Sequence, residues 1–91
     1  MINRQEIYQA IDREREYQIR KRPGSHARGH EIPGWLAIMR AELAEAEEAW
    51  VRGDGAPANA ASLAEILQIL ATGVAAIEQH GIAERKEIAT I

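Results

Sequence analysis

The sequence contains no cysteine and no phenylalanine, and it has only two Trp and two Tyr among its 91 residues. Without cysteine there is no disulfide framework and no thiolate metal site, which fits a reducing cytoplasm. Without phenylalanine the core has to be built mainly from aliphatic side chains. Residues 1–6 lack the apolar stretch of a signal peptide, so we expect a cytoplasmic protein.

Charge is unevenly distributed along the chain, whose net charge is −3. Residues 1–30 carry seven Lys or Arg against four Asp or Glu, a net of +3, and residues 31–91 carry four against ten, a net of −6. Nucleic-acid-binding domains are usually positive overall, so this balance disfavours nucleic acid as the partner. A chain of this length buries only about two-thirds of its unfolded surface, which favours association with further copies.

The spacing of apolar residues predicts an all-α fold, an antiparallel helical bundle in one domain that oligomerisation completes. The predicted elements are three main helices over about residues 3–20, 33–52 and 59–80, a basic loop over 21–32, and a short helix or frayed tail over 82–91. Asn3 followed by Glu6 is typical of a capping box at the start of the first helix. The start of the third helix is open between Pro57 and Ser62.

Two neighbouring stripes run along the predicted second helix. The first consists of Leu36, Met39, Leu43, Ala46 and Trp50, whose spacings of three and four are typical of the apolar seam of a packed helix. The adjacent stripe consists of Trp35, Ile38, Glu42, Glu45 and Ala49. We therefore expect the first stripe to be core, with Glu42 and Glu45 one row away from it.

The third predicted helix is nearly free of charge, because Glu65 is the one charged residue between Gly55 and Ile77. A helix this apolar is usually central, and we expect it to be buried in the bundle, with no membrane involved. A carboxylate in such surroundings is costly to bury unless it is paired, capped or bound to a cation. Ser62 and Glu65 have the spacing of a capping box, which would explain Glu65 if the helix starts at Ser62. If the helix starts near Asn59, Glu65 lies in its interior and needs another partner.

The acidic residues of the two helices predict a divalent-metal site. Glu42 and Glu45 are three residues apart, so their carboxylates can reach one ion on a helix surface. Mg²⁺ prefers oxygen ligands in near-octahedral geometry. In an antiparallel pair of helices, Glu65 and Gln68 would approach this position, so the predicted ligands of Mg²⁺ or Mn²⁺ are these four residues. The alternative is that Glu42 and Glu45 are ordinary solvated surface residues.

At these residues the sequence resembles the MazG-like, all-α nucleoside triphosphate pyrophosphatase superfamily. Its signature is Glu-Glu-x-x-Glu on one helix and Glu-x-x-Asp on the next; residues 35–46 and 63–71 stand for the two halves. The second, third and fourth acidic positions of the signature fall on Glu42, Glu45 and Glu65. Ala41 replaces the first Glu, and Gln68 replaces the Asp, where it offers an oxygen without a charge.

The resemblance implies a Mg²⁺-dependent hydrolase that converts a nucleoside or deoxynucleoside triphosphate into the monophosphate and pyrophosphate. In the family, metal ions hold the triphosphate and activate a water that attacks the α-phosphorus, and the sequence does not name the catalytic base. We expect Arg20, Lys21, Arg22 and Arg28 to contact phosphates, and Trp35 to stack on the nucleobase. Residues 20–22 are otherwise a solvated helix end.

Two further functions remain alternatives. Ala41 and Gln68 depart from the family signature, and they favour a non-catalytic helical protein that acts through oligomer or partner contacts. Under either function we expect a homodimer or homotetramer that shares the faces of the second and third helices. A nucleic-acid-binding role through residues 20–30 is the third reading, and the acidic body of the chain disfavours it.

Overall fold

The computed structural model describes residues 1–21 and 28–89, and the fold is given for these residues. They form four α-helices and no strand: α1 (Arg4–Lys21), α2 (Ile32–Arg52), α3 (Ala56–His80) and α4 (Lys86–Ala89). The predicted all-α class is therefore confirmed. The predicted start of α3 at about residue 59 is three residues too late, and the short C-terminal helix occupies only four residues.

Local sequence signals account for the helix starts. The side chain of Asn3 caps α1, because its Oδ1 accepts a hydrogen bond from the Glu6 amide at 2.9 Å, as the capping-box pattern predicts. Pro33 and Pro57 lie in the first turns of α2 and α3. Proline is favourable there because its backbone is preset for a helix and the N–H it lacks has no helical partner.

A tight turn at residues 53–55 joins α2 to α3. A Cβ atom added at Gly53 would lie 2.6 Å from the Cα of Ala58, so only glycine lets the two backbones approach so closely. Gly55 has a φ of +61° and a ψ of −135°, a conformation that side-chain-bearing residues rarely adopt. These two glycines let the chain reverse direction within a few residues.

Both α1 and α2 pack against α3, which is the central helix of the bundle. The α2–α3 pair is antiparallel, because Ser62 near the start of α3 contacts Ala46 near the end of α2, whereas Gln79 contacts Trp35 at the opposite end. The α1–α3 pair is also antiparallel, since Gln18 reaches the middle of α3 and the earlier residue Arg15 reaches Glu78.

The face of α3 that packs inside the protomer carries small and polar side chains. Ala71 and Thr72 are fully buried at 0% exposure, and Ala75 is 3% exposed. The large aliphatic residues lie on the opposite side, with exposures between 36% and 60%; we call them the outer α3 stripe: Leu63, Ile66, Leu70, Val74 and Ile77. Within one protomer α3 is therefore buried on its inner face only, and its outer face stays exposed, which the expected bundle completed by oligomerisation allows.

The same reversal holds on α2. Leu36, Leu43 and Trp50 of the expected core seam are 52%, 51% and 60% exposed. Trp35 and Glu42 of the adjacent stripe are 3% and 5% exposed, and Ala46 of the expected seam is also only 5% exposed. The packed face of α2 therefore lies along the boundary between the two stripes. The reason is steric: a face with small residues on α3 lets α2 approach closely, and the bulky aliphatic side chains are left outside.

Among the described helices, α3 alone is long and apolar enough to cross a membrane by length and composition. A core helix of a soluble protein passes the same test but is mostly buried, whereas 17% of the apolar window of α3 is buried within the described protomer. The inner side of α3 carries Gln68 and Thr72, which hydrogen-bond to α1, so this helix is not apolar all round.

Candidate functional site

A carboxylate lies in the interface between α2 and α3. Glu42 is 5% exposed, and its Oε2 is 3.1 Å from the hydroxyl oxygen of Thr72, which donates to it. Its other oxygen, Oε1, is shielded from solvent. The sequence placed Glu42 one row from the core, or on the surface, whereas the structure places it in the centre of the α2–α3 contact.

The hydrogen bonds continue from Thr72 to α1. Gln18, 2% exposed, points its Nε2 at the main-chain oxygen of Gln68 (3.1 Å) and at the hydroxyl of Thr72 (3.3 Å). Because the amide donates to the hydroxyl, the one hydroxyl proton is directed at two acceptors, the Gln68 main-chain oxygen at 2.9 Å and Glu42 Oε2 at 3.1 Å. Gln18, Thr72 and Glu42 with the Gln68 carbonyl form what we call the buried polar cluster, which connects all three main helices.

The capping-box explanation of Glu65 is wrong. Helix α3 begins at Ala56, so Ser62 is in its interior, and the Ser62 hydroxyl donates to the Ala46 carbonyl of α2 at 2.7 Å. Glu65 is itself partly buried, and its Oε2 is shielded from solvent. It lies seven residues before Thr72, on the same face of α3 and about 10 Å along the helix.

The four predicted metal ligands lie in different environments. Glu42 is buried, Glu65 and Gln68 are partly buried, and Glu45 is exposed. Within residues 1–21 and 28–89 no three His, Cys, Asp or Glu side chains form a group that could hold a metal ion. An acidic triad of Glu42, Glu45 and Glu65 is therefore not formed by the described part of one protomer.

A different set of oxygen atoms fits a hard cation. The amide oxygen Oε1 of Gln18 is shielded from solvent and has no hydrogen-bond partner within the described ranges. It belongs to the same side chain that contacts Thr72, which in turn contacts Glu42. Buried polar atoms in native structures usually have a partner. Amide and carboxylate oxygens are ligands of Mg²⁺ and Ca²⁺, so the buried polar cluster is chemically compatible with such an ion.

A cavity of about 290 Å³ lies beyond the buried polar cluster, toward the start of α2 and the end of α3. Its lining residues are Arg15, Arg28, Gly29, Trp35, Ala75, Glu78 and Gln79. The α3 residues that line the cavity begin at Ala75, about one helical turn after Thr72, so the cavity adjoins the buried polar cluster. Its volume is at the lower end of the range of ligand pockets.

Trp35 forms a fixed wall of this cavity. Its side chain is 3% exposed, and its indole N–H donates to Gln79 Oε1 at 2.9 Å. The same oxygen accepts the His30 amide at 2.8 Å, and the His30 ring contacts the indole edge to face with centroids 4.8 Å apart. A ligand in the cavity would therefore contact only the part of the indole that lines it, because the rest of the ring is buried.

The predicted phosphate contacts divide into two groups. Arg28 is exposed and lines the cavity with Trp35. Arg20 and Lys21 lie exposed in the last turn of α1 and do not line it, and the Arg20 Nε donates to the Glu16 carbonyl of its own helix at 3.4 Å. Arg22 lies outside the described residues.

Several residues at this end of the bundle were not predicted from sequence. Arg15 lines the cavity, and its Nε lies 2.6 Å from Glu78 Oε1. Gln18 was not recognised either, although one signal was available. The polar residues Gln68 and Thr72 recur at helical spacing on an otherwise apolar α3, which indicates a polar neighbour on another helix.

A scan against protein-family models and searches of curated proteins and of solved structures found nothing that matches this chain. The similarity to the MazG-like superfamily therefore stays a prediction from the residues themselves.

Proposed function

We propose that this chain is a metal-dependent nucleotide pyrophosphohydrolase, which converts a (deoxy)nucleoside triphosphate into the monophosphate and pyrophosphate. The observation that carries the proposal is the buried polar cluster around Glu42, in a bundle whose other buried residues are mainly Ala and Trp. Burying such groups is costly, and their concentration beside a cavity is typical of functional sites.

The proposed roles follow from the positions of the side chains. Glu42 would hold Mg²⁺ or Mn²⁺ from the interior, and Glu65, Gln68 and Glu45 are the further candidate ligands, although the described part of one protomer does not bring the three carboxylates into one group. When bound, such an ion neutralises phosphate charge and lowers the pKa of a coordinated water. The cavity beside the cluster would take part of the nucleotide, with the Arg28 guanidinium near phosphate oxygens and Trp35 as an apolar wall.

Pyrophosphate release from a panel of nucleoside and deoxynucleoside triphosphates, with millimolar Mg²⁺ or Mn²⁺, tests this function. We expect Glu42→Gln to abolish release, because the amide keeps the shape of the side chain but removes its charge. Glu47→Gln on the exposed side of α2 is the matched control and should leave release unchanged. The proposal fails if no triphosphate is cleaved or if Glu42→Gln is fully active.

Glu45 provides a separate test of the ligand set. Its side chain is exposed, so Glu45→Gln should leave the melting temperature nearly unchanged. If Glu45 binds the ion, this substitution should nevertheless abolish pyrophosphate release. Full activity of Glu45→Gln would remove Glu45 from the proposed site and leave Glu42 and Glu65 as its acidic ligands.

We also propose that the protein is a homodimer or homotetramer, with the outer α3 stripe as the interface between copies. Its five aliphatic side chains are at least 36% exposed, and Leu36, Leu43 and Trp50 of α2 extend the same apolar surface. Contiguous apolar surface of this kind marks interaction sites. The inner face of α3 is polar and covered by α1 and α2, so this helix is amphipathic. We therefore propose that its exposed apolar side packs against a second copy of the chain and that the helix does not cross a membrane.

Sedimentation or light scattering at several concentrations tests the interface. Leu70→Glu places a charge in the middle of the outer α3 stripe and should yield monomers. Ile2→Glu, at an exposed residue before α1, is the control and should leave the oligomer intact. A monomeric unmutated protein, or one that floats with lipid vesicles, would contradict the proposed interface.

The second candidate function is a non-catalytic helical oligomer. The extent of the exposed apolar surface favours it, together with Ala41 and Gln68 at positions where the family signature is acidic. Melting with and without a divalent ion and a nucleotide separates the two functions. Ligands that bind only the folded state raise the melting temperature, so an unchanged temperature with every ion and nucleotide would favour the non-catalytic protein.

A further inference from the structure

We propose that Gln18 of α1 supplies, through its amide oxygen Oε1, an oxygen ligand to a divalent cation that Glu42 also binds. This inference deepens the proposed function, since it concerns the same cation site, but it does not require hydrolysis. It adds a ligand from α1, a helix to which the sequence assigned no metal-binding residue.

The orientation of the Gln18 amide is defined by its surroundings. Its nitrogen points at the Gln68 main-chain oxygen at 3.1 Å, and a main-chain oxygen only accepts hydrogen bonds. Exchanging the nitrogen and oxygen of the amide would place two acceptors against each other. The nitrogen is therefore directed at α3, and Oε1 takes the remaining direction.

The Gln18 amide oxygen has the properties expected of a metal ligand. The residue is 2% exposed, Oε1 is shielded from solvent, and no donor lies within hydrogen-bond distance of it in the described part of the chain. A buried acceptor without a donor lowers the stability of the folded protein. A cation beside Glu42 would satisfy Oε1, and the carboxylate would supply the negative charge that the neutral amide lacks.

The hydrogen bonds of the cluster would hold this ligand in place. The Gln18 amide nitrogen is fixed by Gln68 and Thr72, and the Thr72 hydroxyl is fixed by Glu42. Hydrogen bonds of this kind orient metal ligands in proteins, and their loss typically weakens metal affinity about 10- to 100-fold. Cation binding would also tie α1 to the α2–α3 pair, because its ligands come from α1 and α2.

Mn²⁺ binding to the metal-free protein, followed by the electron paramagnetic resonance signal of the free ion, tests the inference without nucleotide. Gln18→Leu removes the oxygen and should weaken Mn²⁺ binding at least about tenfold. Gln18→Glu keeps an oxygen but loses the N–H that donates to the Gln68 carbonyl, so its Mn²⁺ affinity should exceed that of Gln18→Leu and differ from that of the unmutated protein. Gln5→Leu, at an exposed glutamine of the same helix, should have unchanged affinity.

Melting curves in a chelator show which variants fold. If Gln18→Leu does not fold, Gln18→Met, which also lacks the oxygen, takes its place with the same expected loss of Mn²⁺ affinity. Mn²⁺ affinities of the Gln18 variants equal to that of the unmutated protein would overturn the inference and leave a buried water as the partner of Oε1. No Mn²⁺ binding by the unmutated protein would overturn it as well. Gln18-dependent binding without pyrophosphate release would support the inference and refute only the hydrolase.

Discussion

Replacing Thr72 by valine removes one hydroxyl group from the centre of the bundle and keeps the shape of the side chain. Thr72 is 0% exposed, and its hydroxyl donates to the Glu42 carboxylate at 3.1 Å. A hydrogen bond to a charged group contributes about 1.5–3 kcal/mol. The Gln68 carbonyl also loses the Thr72 hydroxyl, which lies 2.9 Å away, but it keeps the Gln18 amide as a donor. Gln18 in turn keeps the Gln68 carbonyl as an acceptor, so the main loss is at Glu42.

We therefore expect Thr72→Val to lower the free energy of unfolding by about 2 kcal/mol. In a domain of this size that corresponds to a melting temperature lower by about 10 °C. Thr72→Ser is the matched control, because it keeps the hydroxyl and loses only a buried methyl group, at a cost of about 1 kcal/mol. Both variants are measured by urea and thermal unfolding in a chelator, so that no metal ion contributes.

A double-mutant cycle assigns the loss to the Thr72–Glu42 hydrogen bond. In a Glu42→Leu background the carboxylate is absent, and the cost of Thr72→Val should fall by at least about 0.5 kcal/mol. Our reasoning would be refuted if Thr72→Val were as stable as the unmutated protein. It would also be refuted if the cost were the same with and without Glu42.

Two further substitutions test the turn and the cavity wall. Gly55→Ala forces a side chain into a backbone with φ of +61° and should lower the free energy of unfolding by about 1–3 kcal/mol, measured by thermal unfolding. The control is Gly73→Ala, whose Cβ would meet Met39 at an ordinary 3.8 Å, and which should stabilise α3 by up to about 1 kcal/mol. Equal effects of the two substitutions would contradict the strain assigned to Gly55. Gln79→Leu leaves the indole N–H of Trp35 without its acceptor, so it should lower the free energy of unfolding by about 1–3 kcal/mol and change the near-ultraviolet circular dichroism spectrum. Gln79→Glu keeps an acceptor and should retain that spectrum. An unaltered spectrum in Gln79→Leu would show that this hydrogen bond does not hold the indole.

The helices and their order were largely predictable from the sequence, because their signals are local. Asn3 and Glu6 cap α1, prolines open α2 and α3, and glycines separate α2 from α3. The start of α3 was left open between Pro57 and Ser62, partly because Ser62 has the pattern of a helix cap. Its hydroxyl bonds to Ala46 of another helix, a contact that no local pattern reveals.

The candidate site was predictable only in part. Gln68 and Thr72 recur at helical spacing with Glu65, and these three residues lie on the inner side of α3. The residue that meets this side from α1 is Gln18, which looks like any polar residue of a charged helix. Glu45 shares a predicted stripe with Glu42 yet is exposed, because its position on α2 is rotated by about 60° from that of Glu42.

The sequence by itself determined that this chain is helical, where its helices turn, and that few charges accompany α3. Tertiary structure alone decided which side of each helix is inside. Two stripes of α2 have the same helical spacing, and local pattern does not distinguish them. The small inner face of α3, with Ala71, Thr72 and Ala75, packs against a face of α2 that contains Trp35, Glu42 and Ala46 from both stripes, because small side chains allow near contact, and the bulky aliphatic residues were left on the outside.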